Sequence, residues 1–89
     1  MTIMVVRHKV RDFAAWKAEF DTHEPVRRAA GLTNARLYRT RGAANEVLLV
    51  FDVEDMGRAE AFAASADLKS AMTAAGVIDT PDLYFLDPA

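Results

Sequence analysis

The sequence predicts an α+β domain in which two helices lie on one face of a four-stranded antiparallel sheet. Three observations carry that expectation. Residues 12–31, DFAAWKAEFDTHEPVRRAAG, place Phe13, Trp16, Phe20, His23 and Arg27 at steps of three and four, which is one stripe of a helix. Apolar runs at 3–6, 47–51 and 83–86 have the length and composition of strands. Caps and breakers fall between these segments, so the elements read strand, helix, strand, strand, helix, strand.

The first strand runs from Ile3 to about Val10, with Ile3, Val5 and Arg7 on one face and Met4, Val6 and His8 on the other. Asp12 is the N-cap of the first helix and Gly31 its exit. Pro25 has no N–H to donate, so a kink or break is expected there. Residues 33–41 form a second strand, with Ala35, Leu37 and Arg39 on one face and Asn34, Arg36, Tyr38 and Thr40 on the other. A hairpin connection over 42–45 leads to a third strand over 46–53. Asp55 caps a second helix, and Ser65 or Asp67 reads as a fresh cap, so this helix is expected to break near Ser65. Gly76 ends it, Pro81 blocks any continuation, and 82–86 is the last strand. With short connections and right-handed crossovers, this βαββαβ order builds a ferredoxin-like sheet.

The 89 residues make a single domain over 1–89, too short to bury a large core alone. There is no cysteine, so neither a disulfide nor a thiolate metal site is available. A net charge of −2 gives no electrostatic reason to expect nucleic acid or a membrane surface. No stretch reads as a signal peptide or a membrane span, and a cytoplasmic protein is expected. Residues 47–51, VLLVF, are apolar on both faces, yet two helices cover only one face of a sheet. The second face needs a cover, and a second copy, sheet on sheet, is the simplest. An obligate homodimer is therefore expected.

The runs RHKVRDFAAWKAEFDTHEPVRRAAGL, NEVLLVFDV and FAASADLKSAMTAAGV resemble small bacterial members of the dimeric α+β barrel superfamily, near the antibiotic-biosynthesis-monooxygenase and polyketide-cyclase branches. The resemblance spans nearly the whole chain. It implies a sheet-on-sheet dimeric α/β barrel and a pocket between sheet and helices in each subunit. It further implies either a cofactor-free monooxygenase or cyclase acting on an aromatic or polyketide-like molecule, or a non-catalytic ligand-binding or stress-associated dimer. Cofactor-free monooxygenases of this kind use Asn, Trp and an Arg or Tyr around a phenolic substrate; Trp16 suits the tryptophan, but no asparagine falls beside it. Haem-degrading members carry a histidine on the second helix; residues 55–75 contain none, so no cofactor is expected.

The candidate catalytic set is His23, with His8 as the alternative, as base, and Tyr38 and Arg36 holding an oxyanion. Trp16, Phe20, His8 and Arg27 are the candidate ligand-binding residues. Each has a plainer reading. His23 caps the Pro25 turn, Trp16 and Phe20 are core, His8 is a strand-end residue on an undetermined face, and Arg27 is solvated at the helix end. His8 and His23 are not expected to act as a dyad, because eleven helical residues separate Asp12 from His23. Two histidines fifteen residues apart with scattered carboxylates make no metal motif, and no GxSxG elbow is present. The third strand lacks the aromatic signature of an RNA-binding sheet.

Overall fold

The placement of β1 (Ile3–Lys9) decides which side of the sheet becomes the interior. A computed structural model describes residues 1–89, and in it the strand order is β2-β3-β1-β4, with every neighbouring pair antiparallel. Met4, Val6 and His8 point into the core, while Ile3, Val5 and Arg7 face the other way. The partner strand β3 (Ala43–Val53) buries Val47, Leu49, Phe51 and Val53 on the same inner side. Its Leu48 and Val50, opposite Arg7 and Val5, belong to the outer side.

The first helical stretch is two helices. α1 (Phe13–Thr22) starts at Asp12, whose carboxylate accepts the Ala14 N–H at 3.1 Å. It stops at His23, two residues before the proline, and α2 (Glu24–Ala29) follows at once. Pro25 sits in the first turn of α2, where its missing N–H leaves no bond unmade. The proline thus starts a helix rather than bending one. Gly31, at φ +79°, then turns the chain into β2 (Leu32–Thr40); a Cβ there would meet the Asp55 backbone nitrogen at 3.0 Å.

The β2–β3 hairpin is tighter than the expected 42–45 loop. Thr40 pairs with Ala43, so only Arg41 and Gly42 connect the strands, and Gly42 takes φ +81°. Residues 43–45 therefore extend β3. As expected, the second helical stretch divides at Ser65. α3 (Met56–Ala63) is capped by Asp55, and α4 (Ala66–Ala74) by the Ser65 hydroxyl, which accepts the Leu68 N–H at 3.1 Å. β4 (Asp82–Leu86) pairs with β1 and points Leu83 and Phe85 inward. α4 contributes no fully buried residue, so the layer is loosely filled between it and the sheet.

The outer sheet face has no cover within the chain. Val5, lying between Val50 and Tyr84, is flanked by Ile3, Leu48 and Leu86; Tyr38 and Tyr84 are each 56% exposed. At one end, Arg7 forms ion pairs with Glu46, Asp79 and Asp82. No helix is long and apolar enough to cross a membrane.

Candidate functional site

The loosely filled layer holds a cavity of about 620 Å³ bounded by the inner sheet face, α1–α2 and α3–α4. Its floor is Met4, Val6 and His8 from β1 with Leu49 and Phe51 from β3. The small side chains Ala63, Ala64, Ala71 and Ala75 form the opposite wall, which is why space remains there. One side is an aromatic stack. Trp16 lies 5.0 Å from Phe20 at an interplanar angle of 27°, and Phe20 lies 6.3 Å from Phe51. The helical period predicted for Trp16 and Phe20 is thus the feature that builds the wall, while Phe13 of the same stripe packs against Trp16 outside the lining.

Both histidines line this cavity. His8 is 2% exposed and meets the edge of Trp16 at 5.5 Å. Its Nδ1 is sealed from solvent without a hydrogen-bond partner. Burial pushes its pKa below the usual histidine value, so the ring is neutral at neutral pH. His23 is half-buried at the break between α1 and α2. Its Nδ1 lies 2.8 Å from the Glu19 carbonyl. A carbonyl only accepts, so the neutral ring carries its proton on Nδ1, and Nε2 is the nitrogen left for a ligand. No hydrogen bond joins the two rings; each belongs to its own element.

Arg27, one turn beyond His23, is 8% exposed and not solvated at the helix end. Its Cζ sits 3.6 Å over the Phe20 ring, and Nη1 donates to the Phe20 carbonyl at 2.6 Å. Burial lowers its pKa, against the attraction of Glu24 and Asp21. The exposed side chains of Glu19, Asp67 and Lys69 stand at the mouth.

The structure divides the expected catalytic set. His23, Trp16, Phe20, His8 and Arg27 converge on the cavity, but Tyr38 and Arg36 do not line it. Tyr38 pairs with Leu48 and Arg36 with Val50, both outer-face positions, so their side chains lie across the sheet from His23. Arg36 is bound to Asp52 at 3.0 Å. Asp52 also accepts from Asn34, and these two bonds hold its carboxyl below the usual range. Neither asparagine of the chain reaches the cavity: Asn34 bonds Asp52, and Asn45 accepts from the Phe13 N–H. Leu68, Met72 and Ser65, the last of them the cap of α4, line the cavity as well. The alanine content of the second helical stretch was the signal for room beside them.

No family model matches the sequence, and no curated protein matches it. Solved structures match over nearly the full length. A putative antibiotic biosynthesis monooxygenase from Bordetella bronchiseptica superposes with a TM-score of 0.79 at 19% identity, covering 99% of this chain and 96% of that one. SnoaB, a cofactor-independent oxygenase from Streptomyces nogalater, gives 0.71 at 17% identity, covering 99% and 94%. A monooxygenase from the gene ActVA-Orf6 of Streptomyces coelicolor, in complex with nanaomycin D, gives 0.67 at 18% identity, covering 99% and 87%. Four antiparallel strands backed by helices on one face give this chain the α+β ferredoxin-like fold of the antibiotic biosynthesis monooxygenase structures.

Proposed function

We propose that the protein is a small cofactor-free enzyme of the monooxygenase type, acting as a homodimer on an aromatic molecule held in the cavity. The observation that carries this reading is the fixed tautomer of His23. With Nδ1–H held by Glu19, Nε2 offers a lone pair at the wall of an apolar, aromatic-sided cavity. That is the arrangement of a general base. A phenol or enol bound against Trp16 and Phe20 gives its proton to Nε2, and the resulting anion passes one electron to dioxygen. The two radicals join through a new C–O bond to give a peroxide, which takes up a proton. Heterolysis of its O–O bond, with loss of the second proton from the same carbon, releases water and leaves a carbonyl. The balance is CH₂ plus O₂ giving C=O plus H₂O, with the substrate as reductant and no bound cofactor. A cyclase would use the same base without dioxygen.

Several features support the reading. SnoaB and the ActVA-Orf6 protein share the fold, and the first is described as cofactor-independent. The apolar outer face suits a sheet-on-sheet partner, and Tyr38 and Arg36 would lie in that interface. One observation favours a second reading: no asparagine or tyrosine lines the cavity, which suits a ligand-binding dimer without chemistry. Oxygen uptake with 1,8-dihydroxyanthrone, a polycyclic phenol bearing an acidic CH₂, separates the two. The enzyme reading expects uptake well above the protein-free rate, lost on His23→Gln. Binding with uptake equal to the protein-free rate would leave the ligand-binding reading in its place.

A further inference from the structure

Arg27 carries a largely buried positive charge with no carboxylate in contact with it; Glu24 and Asp21 attract it only from a distance. The nearest acids on its own and the preceding helix are already engaged: Glu24 pairs with Arg28 at 2.5 Å and Asp21 with Lys17 at 2.7 Å. No carboxylate lies within ion-pair distance of Arg27, although its side chain is almost entirely enclosed. A guanidinium removed from water without a counter-charge is costly unless something supplies one. The only bond made is from Nη1 to the Phe20 carbonyl, which leaves the Nε/Nη2 edge free. That edge is not sealed: His8 Nδ1 is the only buried side-chain nitrogen or oxygen without a partner, so Nε and Nη2 still reach open space. Arg27 is one of the residues that line the cavity.

Geometry adds to the charge argument. The Phe20 ring under Cζ fixes the plane of the guanidinium, and Nε–H and Nη2–H then form a two-pronged fork in that plane. Such a fork matches a carboxylate. From Arg27 the apolar wall continues through Phe20 and Trp16 to His8, in steps of 3.6, 5.0 and 5.5 Å, so an aromatic body attached to the acid has a surface to lie on. The acids at the mouth, Glu19 and Asp67, are exposed and are offset there by Lys69.

We infer that the cavity selects an organic anion, an aromatic carboxylate whose acid group docks on the Nε/Nη2 edge of Arg27 and whose ring lies along Phe20 and Trp16. This narrows the ligand of the cavity proposed above and rests on that cavity being a binding site. The test compares 2-naphthoate with 2-naphthamide, which share shape but not charge, by calorimetric titration of the whole protein. A charge-assisted fork favours the acid by about tenfold or more. Arg27→Gln should remove that preference while the amide still binds as before, and Arg27→Lys should keep part of it. Thermal unfolding of the unaltered protein gives a variant-free check, with naphthoate raising the midpoint more than naphthamide does. Equal affinities for the two probes, or a preference that survives Arg27→Gln, would overturn the inference. Oxygen uptake reports separately: its absence beside a retained acid preference would reject the oxygenase reading and leave the anion site standing.

Discussion

Leu49 and Val50 are neighbours in β3, yet an aspartate at each should have opposite consequences. Leu49 is 6% exposed and packs under the helices. An unpaired carboxylate there costs roughly 4 kcal/mol or more, as burial of an unpaired charge does. A domain of this size has a total stability of about 5–13 kcal/mol, so Leu49→Asp should lose from about a third to most of it. Val50 faces the other side, between Val5 and Arg36. In a monomer, Val50→Asp would lose only about 1 kcal/mol, the scale of strand propensity. In a sheet-on-sheet dimer, two-fold symmetry counts the change twice. About 1.5 kcal/mol of valine burial on each side gives roughly 3 kcal/mol, before the added charges are desolvated. That weakens association by about 100-fold or more. Sedimentation equilibrium should give two chains per particle for the unaltered protein at low micromolar concentration. Val50→Asp should sediment at one chain per particle, and by circular dichroism it should melt below the unaltered protein, since each chain loses the cover of its outer face. An unaltered protein that is monomeric at that concentration, or a Val50→Asp variant that dimerises normally, would rule out the outer sheet face as the dimer interface.

Two further outcomes follow from named groups. Burial lowers the His8 pKa in the folded state, so the unfolded chain binds more protons between that value and the ordinary 6.5. The contribution is complete above pH 6.5 and is lost as pH falls towards the folded value; in urea titrations at pH 7.5 and 5.5, His8→Phe should show a smaller drop than the unaltered protein, and an equal drop would count against it. Gly31→Ala forces a side chain into φ +79° and against Asp55, at a cost of about 2 kcal/mol. The melting midpoint should fall by roughly 8–16 °C, and a fall under about 3 °C would contradict the crowding at that position.

Much of this architecture was legible because local chemistry and global fold agree. Pro81 and the apolar run after it mark β4, and the Ser65 hydroxyl marks the helix break, since each feature acts within a few residues of itself. Where reading and structure part, a local signal had two physical uses. Pro25 breaks a helix interior but suits a helix start, so the interruption falls at His23. Ala43, Ala44 and Asn45 look like a loop, yet the positive φ of Gly42 closes the hairpin in two residues and leaves them in the strand.

The site was harder, because face assignment is a tertiary property. The parity of β2 was right, with Arg36 and Tyr38 on one side and Leu37 on the other. What decides the inner side is register: Leu37 opposes buried Leu49, which sends Arg36 and Tyr38 outward. Leu37 was the available clue, being the large aliphatic residue of that stretch. For His8, sharing a face with Met4 and Val6 was the corresponding clue, and the structure buries all three.

The cavity proposed to receive an aromatic molecule is walled by Trp16, the only tryptophan in the chain. Its emission therefore reports directly on occupancy. Titration with 1,8-dihydroxyanthrone should give saturable quenching of Trp16, and Ala71→Phe, which fills the opposite wall, should abolish it without unfolding the protein. Quenching that is unchanged in a folded Ala71→Phe variant, or an unaltered protein whose tryptophan emission does not respond, would show that the molecule does not enter the cavity.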